Sequence, residues 1–223
     1  LSVHLDVDET VCRPGRVLSV LGLLSMVEDS SGNVYRCATR RLLKTISTDQ
    51  RHVVAAGDRV YFRPVDDSEP KEGMIERIEP RYGCVCRAVR RRQHIIVANV
   101  DQIAIVSSAA EPRFKPNLID RLLLAAEKGG VRPLICINKI DLVDPAVLQP
   151  TVGVYGRMGY RVLLLSAKTG FGVERFRQAL QGRENVIAGQ SGNAGMQALT
   201  VTIRSLALGE IDRAAVRRFL KKE

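Results

Sequence analysis

The residues best suited to chemistry lie on three loops, each directly after a run that reads as a strand. The first is Asn138-Lys139-Ile140-Asp141, behind the apolar Leu134-Ile135-Cys136-Ile137. The carboxylate of Asp141 accepts from two adjacent N–H donors at once, the pattern that guanine presents at N1–H and its exocyclic amine; adenine has neither donor there. A buried carboxylate built for that pairing rejects the analogue lacking it by roughly 10⁴-fold, because a desolvated polar group is then left unpartnered. Asn138 has a donor for the acceptor edge of a purine and a means of tying neighbouring loops together. The stem of Lys139 is long enough to lie along a base face with its charge outside. The competing reading is a surface Asn-Lys turn before a helix, and placement at the end of an apolar strand weighs against it.

The second loop, Ser166-Ala167-Lys168, ends the apolar run Val162–Leu165. By itself the tripeptide carries little; one strand after Asn138, the Ala167 amide becomes a donor for the guanine carbonyl oxygen. The third, Gly189-Gln190-Ser191-Gly192, follows Asn185-Val186-Ile187-Ala188. A strand running into Gly-x-x-Gly begins a phosphate-cradling loop, with glycine amides free to point at an anion. Such a loop continues to Gly-Lys-Ser/Thr, but here Ala194, Gly195 and Met196 occupy those places. Read literally, that loop neither neutralises phosphate charge nor holds magnesium.

The elements that must position these loops follow from periodicity. From about Gln93 strands and helices alternate: Ile95–Ala98 and Ile103–Val106, a helix capped by Asn117 and ending at Gly129-Gly130, Leu134–Ile137, a helical stretch over 146–158 interrupted near Pro150, Val162–Leu165, a helix through Val173, Phe176 and Leu180, and Asn185–Ala188. Alternation of this kind predicts a parallel sheet with helices on both faces. Before it, from Arg16 to about Ile78, short strands are broken by turns such as Asp29-Ser30-Ser31-Gly32-Asn33. These predict an all-β barrel of the OB type, with an unspecialised β-sandwich as the alternative.

The chain of 223 residues carries 34 Lys+Arg against 24 Asp+Glu, a formal +10, and 45% apolar residues, ample for a core. The excess points to a polyanion partner, and an aromatic content of 4% argues against a stacking platform for single strands. Arg81, Arg87, Arg90, Arg91 and Arg92 run without an acid among them, and Arg36, Arg40 and Arg41 extend the field. Arginine's planar fork suits phosphate; a solvated linker is the competing reading. Five scattered cysteines predict a reduced, cytoplasmic protein, and no apolar run reaches membrane-span length. The residues after Leu1 read as a lead-in to missing upstream sequence.

Base-recognition loop, Ser-Ala-Lys, then phosphate loop reverses the usual GTPase order, and a basic barrel comes first. This combination resembles the ribosome-small-subunit-dependent GTPase A (RsgA/YjeQ) family. Ala98–Gln102, Leu118-Ile119-Asp120-Arg121-Leu122, Asn138–Leu142 and Gly189–Gly192 carry the likeness. It implies an α/β parallel-sheet P-loop GTPase domain, circularly permuted, over 91–204, preceded by the OB-type RNA-binding barrel over 1–90. A C-terminal helix over 205–223 would be the remnant of a zinc-binding domain. The resemblance further implies GTP/GDP with Mg²⁺, a structural Zn²⁺ whose ligands are not in this sequence, and a monomer that binds the small ribosomal subunit and its rRNA. Guanine would fall to Asn138, Lys139, Asp141, Ser166, Ala167 and Lys168, phosphate to Gly189, Gln190, Ser191 and Gly192, and RNA to Arg36, Arg40, Arg41, Arg87, Arg90, Arg91 and Arg92. The family's switch threonine, its Asp-x-Pro-Gly and its Cys/His cluster are not found, so the sequence reads as ordered fragments joined with mobile segments omitted after Gly192 and near Ser205. A vestigial, non-hydrolysing placeholder on rRNA is the alternative function.

Overall fold

The computed structural model describes Asp8 and residues 10–40, 43, 53–65, 70–89, 92–189 and 199–200. Two compact units divide the chain, Leu1–Asn99 and Val100–Glu223.

The first unit is built on a closed barrel of five strands, β1 (Arg13–Leu21), β2 (Leu24–Asp29), β3 (Val34–Thr39), β4 (Arg59–Val65) and β5 (Glu72–Ile78), in the order β1-β2-β3-β5-β4. All neighbours are antiparallel except β3 and β5, the order of an OB-like barrel. Closure removes exposed strand edges and leaves an interior filled by Val17, Val27, Tyr35, Cys37, Val60, Phe62 and Ile75. Phe62 fits because Gly15 lies beside it: a Cβ there would stand 2.9 Å from Phe62 Cε1 and 2.6 Å from Val27 Cγ1. The predicted hairpin turn forms through Asp29, whose Oδ1 accepts from the backbone N–H groups of Ser31 and Asn33, both at 2.9 Å. Burial alone would raise the Asp29 carboxyl, but hydrogen bonds from Asn33, Ser31 and Tyr35 outweigh it and hold it below the ordinary carboxylate value. Burial pushes the Cys37 thiol up to about 12, so this core cysteine is a packed, inert group.

The arginine-rich stretch differs from a linker. It forms a hairpin, β6 (Val85–Val89) with β7 (Arg92–Val97), so Ile95–Val97 pair with β6 and not with the parallel sheet. Ala98 then donates its N–H to the Ala56 carbonyl, inside the first unit. Arg81 has an acid after all, 23 residues earlier in the chain. Its Nε lies 2.7 Å from Asp58 Oδ1 and its Nη2 2.7 Å from Oδ2, with Asp58 fully buried. Burial pushes the guanidinium down, and the Asp58 carboxylate pushes it up further, for a net rise.

The second unit holds a sheet in the order β10-β9-β8-β11-β12, formed by β8 (Gln102–Ser108), β9 (Arg132–Asn138), β10 (Arg161–Leu164), β11 (Asn185–Gly189) and β12 (Leu199–Thr200). The first four are mutually parallel and β12 is antiparallel. Every residue of β8 is buried, the mark of a strand covered on both faces. Helix α1 (Pro116–Lys128) packs on β8 and β9, α2 (Gln149–Arg157) on β10, and α3 (Val173–Leu180) on the opposite face through Phe176, Ala179 and Leu180 against Leu134, Cys136 and Leu163. Two boundaries differ from expectation for one reason: proline lacks an N–H and has a helical φ, so it starts helices. Lys115, not Asn117, caps α1, with Pro116 in its first turn. Pro150 opens α2 behind a 3₁₀ turn over Pro145–Leu148, rather than interrupting one long helix.

Arg81→Met strands the Asp58 carboxylate in the barrel. We expect a loss of about 3–5 kcal/mol in urea unfolding, part of which the double variant Arg81→Met/Asp58→Leu restores.

Candidate functional site

The parallel strands all end on one side, and the first two predicted loops meet there. Asn138 is the last residue of β9, fully buried, with its Oδ1 accepting from the Ala167 N–H at 3.1 Å. Ser166 Oγ donates to Asp141 Oδ1 at 2.6 Å. The backbone repeats the link: Ile140 donates to the Leu165 carbonyl at 3.2 Å, and Leu165 to that of Ile137 at 2.8 Å. Two loops separated by more than twenty residues are thereby laced into one surface. The register brings this about, since Cys136 pairs with Leu163 and Ile137 with Leu164, so both strands run out together.

Asp141 is exposed, on a 3₁₀ turn over Ile140–Leu142, rather than buried as the sequence suggested. A bound base, not the protein, would have to desolvate it. Its Oδ2 has no hydrogen-bond partner among the described residues. The Ala167 amide, expected to face a ligand, is turned to Asn138, so Asn138 positions the second loop as well as the first.

Ser166 organises the turn that follows. The Thr169 N–H donates to Ser166 Oγ at 3.2 Å, and the Gly170 N–H to the Ser166 carbonyl at 2.8 Å. Gly172 closes the turn at φ +72°, where a Cβ would meet the Leu164 carbonyl oxygen at 2.3 Å, and α3 starts immediately after it. Lys168 is exposed at the tip.

Lys139 has φ +62°, a left-handed backbone costing on the order of 1 kcal/mol for a side-chain-bearing residue. Its Nζ donates to the carbonyl of Glu111 at 2.6 Å, and Glu111 is itself left-handed, at φ +53°. The loop after β8 therefore belongs to the site: the Ala109 N–H also donates to the Asn138 carbonyl at 2.8 Å. Sequence reading passed over Glu111. The signal was available, because Gln102–Ser108 is a third apolar strand and its carboxyl end had to emerge beside Asn138.

Gly189 ends β11 opposite Val106 of β8. With β8 between them, β9 and β11 lie two strand spacings apart, roughly 10 Å. Gln190, Ser191 and Gly192 lie outside the described residues, as do Arg41, Arg90 and Arg91 and the 205–223 segment. On the first unit, Arg36 and Arg87 are exposed, Arg40 pairs with Glu76 at 2.9 Å, and Arg92 begins β7. Two further arginines sit over tyrosine rings, Arg77 over Tyr61 at 4.2 Å and Arg59 over Tyr82 at 5.6 Å. Among the described residues, no group of three His, Cys, Asp or Glu side chains is placed to hold a metal, and no helix is long and apolar enough to cross a membrane.

A parallel sheet whose loops after β9 and β10 meet at its carboxyl end, in a chain that also forms a five-stranded OB-like barrel, is the architecture of the solved circularly permuted GTPases it resembles. Comparison with known proteins agrees. The family model described as RsgA GTPase matches residues 78–216. Among curated relatives, the small ribosomal subunit biogenesis GTPase RsgA of Sodalis glossinidius is 42% identical over 184 residues, 80% of this chain and 50% of that protein. Its counterpart in Chlorobaculum parvum is 36% identical over 187 residues, covering 80% and 60%. Among solved structures, YjeQ from Thermotoga maritima superposes with a TM-score of 0.60 at 30% identity, over 81% of this chain and 61% of that one. YloQ, described as a circularly permuted GTPase, gives 0.57 at 27%, over 84% and 63%. The chain belongs to the RsgA GTPase family. It spans about half to three-fifths of the length of these curated relatives.

Asn138→Ala removes the buried acceptor that joins the two loops. We expect a loss of about 1–3 kcal/mol in denaturant unfolding, with faster amide exchange over 138–142 and 166–170 than in α1.

Proposed function

We propose that this chain is part of a GTP-binding and GTP-hydrolysing factor acting late in small-subunit assembly. In this reading the second unit, Val100–Glu223, carries the guanine site, and the first unit, Leu1–Asn99, which includes the hairpin expected to open the α/β domain at residue 91, grips rRNA phosphates. The single observation that carries the base assignment is the Ser166–Asp141 hydrogen bond at 2.6 Å. It holds one carboxylate oxygen in place and leaves the other without a hydrogen-bond partner among the described residues, so that guanine N1–H and the exocyclic amine would have a fixed acceptor. A carboxylate oxygen has two lone pairs, so Oδ1 accepts from Ser166 and still has capacity for a second donor. Asn138 and Ala167 form the floor. Lys139 crosses from β9 to the Glu111 carbonyl, so its stem spans the site while its ammonium is anchored at the rim. Lys168, exposed at the tip of the second loop, would lie beside the base.

Gly189 would begin the phosphate cradle, with Gln190, Ser191 and Gly192 continuing it, and Mg²⁺ would offset phosphate charge there. The zinc-binding remnant is assigned to 205–223. Support for the ribosomal role comes from the relatives' names, which describe small-subunit biogenesis GTPases. On the barrel, exposed Arg36 and Arg87, with Arg40, Arg41 and Arg90–Arg92, would contact rRNA; Arg81 is excluded because its charge is spent on Asp58. The factor would act in the cytoplasm as a monomer.

Asp141→Asn exchanges an acceptor for a donor. The preference for GTP over XTP should fall by at least about 100-fold and move toward XTP; an unchanged preference removes Asp141 from the base site. In the full-length protein, small subunits should stimulate GTP hydrolysis. Binding without any turnover would instead make the protein a placeholder.

A further inference from the structure

The end of the sheet opposite the candidate nucleotide loops carries a second set of cations. Arg132 is the first residue of β9 and Arg161 the first of β10; both are exposed. Lys128 closes α1 and Arg157 closes α2, and each helix returns to its strand through a short turn over 129–131 or 158–160. All four are exposed, and none has an ion pair or side-chain hydrogen bond among the described residues. The register pairs Arg161 with Leu134, two residues along β9 from Arg132, so both arginines project from one face of adjacent strands.

Asp101, Glu127 and Glu184 also lie at this end: Asp101 Oδ2 accepts from the Glu184 N–H at 2.8 Å, half-buried Glu184 has partners of its own, and neither Asp101 nor Glu127 forms an ion pair with these cations among the described residues. The helix dipole accounts for Lys128 and Arg157, which sit in last turns, where a cation gains a few tenths of a kcal/mol. It does not account for Arg132 and Arg161, which open strands. Cations gathered at one end of the sheet favour an anionic partner there.

We infer that this end of the second unit is an RNA-phosphate contact surface, separate from the base site. The inference rests on the proposed small-subunit role. Arginine forks at 132, 157 and 161 suit a phosphate backbone, and the length of β9, about 20 Å, separates the surface from Asn138, so RNA and nucleotide would bind without competing.

The test uses the full-length protein carrying Arg132→Glu/Arg157→Glu/Arg161→Glu, and the milder Arg132→Gln/Arg157→Gln/Arg161→Gln. Binding to small ribosomal subunits is measured across a salt series, with deproteinised small-subunit rRNA as competitor and guanine nucleotide affinity as control. We expect subunit affinity to fall at least about tenfold in the Glu variant. The slope of log affinity against log salt should become shallower by about 2–3 in both variants, with nucleotide affinity unchanged. Parental binding and slope in the Gln variant would overturn the surface alone, whereas a parental protein that ignores subunits would overturn the functional reading and the surface with it. A defect seen with subunits while deproteinised rRNA competes equally against parent and variant would make the partner a ribosomal protein. Loss of nucleotide affinity in the Gln variant would show that these arginines act through the fold.

Discussion

The site depends on one buried contact, the Asn138 side-chain oxygen accepting the Ala167 backbone N–H at 3.1 Å. Both residues are buried, so breaking the bond leaves polar groups without the solvent that would otherwise replace it. It joins the tips of adjacent parallel strands, and the neighbouring bonds inherit their geometry from it: Ser166 to Asp141, Ile140 to Leu165, Ala109 to Asn138. Removing Asn138 would leave two flexible loops, each with one potential ligand group and no fixed relation between them. Parallel pairing makes the contact available in the first place, because strands that run in the same direction deliver their following loops to one side.

Charge in the first unit divides into two classes that composition does not separate. Arg81 is spent holding β6 and its approach against the barrel through Asp58, and Arg40 is partnered by Glu76. Arg36 and Arg87 stand exposed. A basic run is a sum over both classes, so its net charge overstates what remains for a partner. In the second unit the position is reversed: Lys128, Arg132, Arg157 and Arg161 are scattered in sequence, and two successive strand-helix returns bring them to one end.

Much of the site was legible in the residues. Asn138-Lys139-Ile140-Asp141 and Ser166-Ala167-Lys168 each follow an apolar, β-branched run, and a sheet of such runs puts its loops at the carboxyl edge. The OB-like barrel was readable from short strands and from the Asp29–Asn33 turn, whose side chain and Gly32 dictate local backbone shape. Helix starts were misplaced near prolines: Asn117 was read as the cap where Pro116 stands in the first turn, and Pro150 was read as an interruption where it stands in the first turn of α2.

Local chemistry, then, settled the Asp29–Asn33 turn, the alternation of strand and helix from Gln102 onward, and the likeness to a family. Its reach ends where partners are distant along the chain. That Asp58 neutralises Arg81, that Ile95–Val97 turn back on β6, that Glu111 anchors Lys139 and that Asp141 stays exposed are outcomes of packing. The three pairings join residues 9 to 28 positions apart, and a linear pattern carries no term for the register or burial that decides which of many compatible pairs actually meet.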